Sequence, residues 1–309
     1  MTKREFNYMS TDLKTWLHGA AWIPDGEPKA IVQLSHGVTE HILRYDALGT
    51  CLAQRGYLVL GNDLIGHGKS TGKDKARLYF GPAGSWDFVV RDAKLLYDMT
   101  REAHPDVPYV ALGHFLGSFV VRSWLIRWPD TLQGAVLTGT GGQSGMSMRI
   151  ARASANAAAK REGEDHPSQQ IRALMFGTYN KMFAPNRTTA DWLCANMEAV
   201  DSYLADPLCS QDVTPGLFRE MLSGMEFAGK AANLKQMDKN CPVLFASGKD
   251  DPVGGLGKGV VKAAESFRKA GMRDVELKLY PGMRHNLFEE TDRDTVFADL
   301  TAWLDRRFG

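Results

Sequence analysis

The chain has 309 residues, 37 basic and 36 acidic side chains and a hydrophobic share of 44%, enough apolar matter for a sizeable core and no charge surplus to recruit nucleic acid or an anionic membrane surface. The four cysteines, Cys51, Cys194, Cys209 and Cys241, lack metal-ligand spacing, so no metal is expected, and they read as reduced thiols of a cytoplasmic protein, with Cys194 and Cys209 close enough in sequence to be neighbours. The opening stretch Met1 to Phe6 has no signal-peptide character, and no stretch approaches the roughly 20 apolar residues that span a bilayer, so stable membrane insertion is not expected.

In chain order, Glu5 to Ile23 reads as a two-strand hairpin turning near Ser10-Thr11-Asp12. Further strands fall near 30–35, 57–62, 108–113, 133–139, 242–247 and 274–280, separated by helical periodicity. Eight strands in that alternation predict an α/β protein with a mostly parallel sheet and helices on both faces. The alternation stops after Gly139-Thr140-Gly141-Gly142, where segments 146–159, 171–183 and 191–204 are all helix-like. They predict a helical cap over the carboxyl ends of the strands, where open sheets bind ligands. The expected organisation is a first core part at 1–141, a cap at 142–225 and a second core part at 226–309.

Four motifs carry the chemistry. The strand Ala30 to Ser35 ends in His36-Gly37-Val38. Residues 113–117 read Gly-His-Phe-Leu-Gly, the G-x-S-x-G nucleophile elbow with Phe115 in the place of serine, preceded by the strand Val110-Ala111-Leu112 and followed by a helix from Ser118 to Trp128. The strand Pro242 to Ala246 runs into Lys249-Asp250-Asp251-Pro252, which sets a carboxylate at a strand's carboxyl end. Asp251 is the preferred acid and Asp250 remains open. The strand Val275 to Tyr280 turns through Pro281-Gly282 toward His285, the expected general base. Nucleophile position, acid, then histidine is the order of α/β-hydrolases. Gly66-His67-Gly68-Lys69-Ser70 lacks the spacing of a phosphate loop, so neither a nucleotide nor another cofactor is expected.

Taken with Thr39-Glu40-His41, Arg44-Tyr45, Asn62-Asp63, Asp191-Trp192-Leu193 and the run Val200 to Cys209, these motifs resemble the monoacylglycerol lipase and lysophospholipase branch of the α/β-hydrolases, a serine aminopeptidase S33-type hydrolase, over nearly the whole chain. The resemblance implies the α/β-hydrolase fold and backbone N–H donors at Val38 and Leu116 for an oxyanion. It implies an apolar ester or lipid-like ligand bounded by His36, Gly37, Met146, Phe176 and Tyr179. Met and Phe at this spacing could equally serve packing alone, and Trp192 reads as a packing residue.

Phe115 is the departure. A phenyl ring has no lone pair and no acidic proton, so it cannot act as the nucleophile, and Ser118, one helical turn on, is expected to point away. Three readings follow: an ester hydrolase whose nucleophile has been exchanged, a pseudoenzyme that binds an apolar molecule or a protein in the old pocket, or an enzyme that uses His285 and Asp251 alone. Oligomeric state is not encoded in any of these features.

Overall fold

The computed structural model describes residues 1–71, 77–142 and 145–309, with the backbone but not the side chain of Met146. Its strands are β1 (Thr2–Met9), β2 (Trp16–Ile23), β3 (Ala30–Ser35), β4 (Tyr57–Asn62), β5 (Tyr109–His114), β6 (Gly134–Thr138), β7 (Val243–Gly248) and β8 (Val275–Tyr280). They form one sheet in the order β1-β2-β4-β3-β5-β6-β7-β8. The strands from β4 across to β8 are parallel, while β2 is antiparallel to both of its neighbours. Every residue of β3, β4, β5, β6 and β7 is buried. That follows from cover on both faces, and it is why these strands read as continuous apolar runs. Only Tyr280 is buried in the edge strand β8.

The helices are α1 (Asp46–Ala53), α2 (Trp86–Ala103), α3 (Leu116–Arg127), α4 (Gly145–Glu162), α5 (Gln169–Phe176), α6 (Met197–Ala205), α7 (Pro215–Gly229), α8 (Ala231–Leu234), α9 (Lys258–Lys269) and α10 (Arg293–Phe308). One face of the sheet packs against α2, α3 and α9 through Val89, Val120, Trp124 and Phe267, and α7 lies over α2 and α3. The opposite face packs against α1 and α10 through Leu48, Leu52, Leu300 and Trp303. Among the described residues every regular element between β6 and β7 is helical, and none of the helices is long and apolar enough to cross a membrane.

Two expectations for that helical stretch need correction, and one helix goes beyond them. The run 171–183 is not one helix, because α5 ends at Gly177 and a 3-10 turn, Tyr179–Phe183, follows. The run 191–204 is helical only from Met197, where Asn196 accepts from the Ala199 N–H and caps the first turn. Helix α7 had not been expected. Its start carries an ordinary signal, Thr214 accepting from the Leu217 N–H with Pro215 in the first turn, which a Thr-Pro pair discloses.

Candidate active site

The elbow between β5 and α3 is built by close backbone approach. A Cβ on Gly117 would lie 1.9 Å from the Ser35 carbonyl oxygen, and one on Gly113 would lie 2.3 Å from the carbonyl oxygen of Gly117. Only hydrogen fits at either position. Between them Phe115 stands at φ 47°, ψ −108°, a region that costs a non-glycine residue about 1–3 kcal/mol. Hydrogen bonds hold it there: Phe115 N–H donates to Thr138 O at 3.0 Å, Gly117 N–H donates to His36 O at 3.0 Å, and the Ser118 hydroxyl donates to Phe115 O at 2.6 Å. Ser118 is fully buried, and its hydroxyl is spent on that bond and on Thr140.

Asp251 and His285 meet at the carboxyl ends of β7 and β8. The His285 Nδ1 lies 3.1 Å from both carboxylate oxygens. Asp251 is 0% exposed and His285 1%, and Val253 N–H donates to the carboxylate at 2.8 Å. Asp250 is exposed, with its N–H directed to the Met283 carbonyl, so of the two carboxylates it is Asp251 that meets His285. The other ring nitrogen, Nε2 of His285, is buried without a hydrogen-bond partner among the described residues.

Three rings enclose that imidazole. Phe115 stands edge-on to it with centroids 5.0 Å apart, Trp192 lies at 5.1 Å and His114 at 4.7 Å. Trp192 in turn stacks on Phe176 at 5.6 Å and 19° and touches Tyr179 at 5.2 Å. The loop bearing His285 is stitched to the Trp192 loop: Asn286 N–H donates to Leu193 O at 2.6 Å, and the Arg284 guanidinium donates to the carbonyls of Asp191 and Cys194. Trp192 was expected only to pack, and its place over His285 could not be read locally because the partners are far apart in sequence. His114 is a second omission. Burial, with His285 beside it, pushes its imidazole down to about 3, so it stays neutral.

The loop after β3 is fixed by its own side chains. His36 Nδ1 donates to Gly37 O at 2.7 Å, and its Nε2 accepts from Leu64 N–H at 2.9 Å. Both nitrogens are therefore committed, the ring is fully buried, and burial holds it below the usual histidine range. The expectation that His36 faces a ligand is corrected: no polar atom of its ring is left for one. Gly37 N–H donates to Glu40 Oε1 at 2.5 Å, and the same oxygen accepts from the Tyr45 hydroxyl at 2.8 Å. Glu40 thus sets the turn that leads into Val38. From the helical stretch, Tyr203 shares a hydrogen bond with Thr39 at 2.7 Å, and Asp206 pairs with His41 Nε2 at 2.8 Å.

Two cavities reach rings that enclose His285, although His285 itself lines neither. One, of about 220 Å³, is walled by Phe115, Phe119, Met148, Met175, Tyr179 and Met225. The other, of about 660 Å³, is more polar, with Arg172, Phe176, Asn180, Thr188, Trp192 and Tyr203 in its wall. Tyr179 and Phe176, expected to share one pocket, wall different cavities. The side chain of Met146 lies outside the described residues. Cys194 and Cys209 are both free thiols.

Over residues 26–292 the sequence matches the family described as "Serine aminopeptidase, S33". It is 29% identical over 290 residues to the monoacylglycerol lipase of Mycolicibacterium smegmatis, covering 92% of this chain and 90% of that one. Among solved structures it is similar to a thermostable carboxyl esterase from Bacillus coagulans, with a TM-score of 0.90, 24% identity and full coverage of both chains. A soluble variant of the Saccharomyces cerevisiae monoglyceride lipase, solved with a substrate analog, gives a TM-score of 0.72 at 20% identity over 99% of this chain and 95% of that one.

Proposed function

Because the chain belongs to the serine aminopeptidase S33 family of α/β-hydrolases, we propose that its site is that of a carboxylic-ester hydrolase for apolar acyl chains, of the monoacylglycerol lipase and lysophospholipase kind, kept from turnover by Phe115. The observation that carries this is the buried Asp251–His285 pair with its free Nε2 beside the strained elbow. A structural pair with no reaction to serve has no need of an orphaned buried nitrogen.

With serine at 115, His285 Nε2 would take the hydroxyl proton while Asp251 holds the imidazole in the required tautomer. The serine oxygen would attack the ester carbonyl, and the N–H groups of Val38 and Leu116 would receive the oxyanion. His36 and Glu40 shape the loop that aims Val38. The 142–225 segment is the cap, and the cavity walled by Phe119, Met148 and Met225 takes the acyl chain. The relative from Mycolicibacterium smegmatis, a monoacylglycerol lipase, supports that substrate class. Phe115→Ser should confer hydrolysis of monoacylglycerols and short-chain esters, and the unaltered chain should show none. A folded variant without ester turnover would overturn the proposal.

A second reading has one observation in its favour. Phe115 is 7% exposed and belongs to the main apolar cluster, so the ring is accommodated as part of the cavity wall. In that reading the chain is a pseudoenzyme that binds an apolar molecule and releases it unchanged. Its test is tight binding of an intact monoacylglycerol by the unaltered chain together with poor turnover after Phe115→Ser.

A further inference from the structure

We propose that Arg122, assisted by Lys262, forms an anion subsite beyond the apolar cavity and receives a carboxylate carried at the distal end of the acyl chain. The proposal rests on the reading of that cavity as the acyl pocket.

Arg122 lies on α3 and is 3% exposed. Nη1 donates to Gly141 O at 3.1 Å and to Thr140 Oγ1 at 3.3 Å, and Nη2 donates to Ala228 O at 3.1 Å. Those bonds serve backbone and hydroxyl dipoles, and the Ala228 carbonyl sits in the last turn of α7, where the helix dipole favours a cation. They account for the two terminal nitrogens and no more. Nε is buried with no partner among the described residues, and among them Arg122 pairs with no carboxylate. The rings of Phe119 and Phe267 lie 5.1 and 5.7 Å from the guanidinium carbon. Burial lowers the group to about 10, which still leaves it cationic at neutral pH. A buried cation held only by dipoles and ring faces is costly, and folded proteins ordinarily pair one with an anion.

The surroundings say where such an anion would come from. Arg122 walls a cavity of about 340 Å³ that shares Phe119, Gly141, Met148 and Met225 with the cavity behind Phe115. Its remaining charged walls are Lys230, Lys262 and Glu226. Glu226 is occupied by Arg152 at 2.9 Å and Lys230 at 3.3 Å. Lys262, on α9, makes no ion pair among the described residues, and its stem lies along Gly142. Among the described residues the wall therefore presents two cations without counter-charges at the end of an apolar cavity, the complement of an aliphatic chain that ends in a carboxylate.

The chain as it stands can be tested by calorimetry with the monomethyl and dimethyl esters of one medium-chain dicarboxylic acid, which differ at a single end. The monomethyl ester should bind about tenfold more tightly, as a charge-assisted contact in a sheltered site provides. That ratio should fall at least by half in Lys262→Ala, whose site is exposed and whose folding is not at risk, and should vanish in Arg122→Gln wherever that variant folds. Equal binding of the two esters, or a ratio unchanged in Lys262→Ala, would overturn the anion subsite and leave the acyl cavity standing. Binding of neither ester would overturn both.

Discussion

At position 115 backbone and side chain act in opposite senses. The positive φ of Phe115 costs about 1–3 kcal/mol, and removing its ring from water returns about 1.5–3 kcal/mol. The ring faces an existing cavity, so deleting it enlarges a void without opening a new one in a sealed core. Phe115→Gly should therefore change the melting temperature by no more than a few degrees and widen the cavity beyond about 220 Å³. A drop of more than about 5 °C, worth roughly 3 kcal/mol in a chain of this size, would mean that the ring is a structural necessity. The histidines supply a second prediction. Burial, with another histidine beside each, holds His67 and His114 at about 3, below the usual value near 6.5. Their unfolded forms take up protons first, so the stability they contribute is complete above about pH 6.5 and is lost as the pH falls toward their folded values. Each should remove about 1.4 kcal/mol per pH unit in that window. Urea midpoints measured from pH 7 to pH 4 should fall steeply, and less steeply in His67→Gln; identical slopes would refute the assignment.

Among the elements, the strand–turn–helix of β5 and α3 is the most tightly constrained. The 1.9 Å approach of a Gly117 Cβ to Ser35 O is against backbone, which cannot swing aside. Gly117→Ala should cost on the order of 3 kcal/mol or more, at the upper end of overpacking, and a denaturation midpoint equal to that of the parent would mean that β3 and the elbow are not in contact. Thr214→Ala should cost about 1 kcal/mol by uncapping α7, readable in the same assay. The elbow glycines, the eight strands and the Asp251 and His285 loops were legible because each is announced by spacing within a few residues. What was not legible depends on contacts between distant residues. Trp192 over His285 and Tyr203 on Thr39 join the helical stretch to the sheet, and no local pattern discloses them. His36 is instructive in the other direction. Its place in a His-Gly pair suggested a ligand contact, but the sequence cannot show that Leu64 N–H and Gly37 O claim both ring nitrogens. Gly177 and the Asn196 cap were readable breaks that the apolar periodicity obscured.

For the whole molecule, the parallel sheet is what assembles the site. Strands β3, β5, β7 and β8 run the same way, so the residues that follow them, His36 to Val38, Phe115, Asp251 and His285, gather at one edge although they are spread from position 36 to 285. The helical stretch between β6 and β7 then closes over that edge through Thr39, His41 and the Trp192 loop. On the function proposed above, this assembly is a serine-hydrolase site that lacks only its nucleophile. Intact-mass analysis after treatment with a fluorophosphonate tests it directly, because the reagent needs a serine activated by histidine beside an oxyanion site. The parent chain should keep its mass. Phe115→Ser should gain one phosphonyl adduct, placed on residue 115 by peptide mapping, and the Phe115→Ser, His285→Ala double variant should gain none. A labelled parent chain, or a folded Phe115→Ser variant that stays unlabelled, would contradict that assignment.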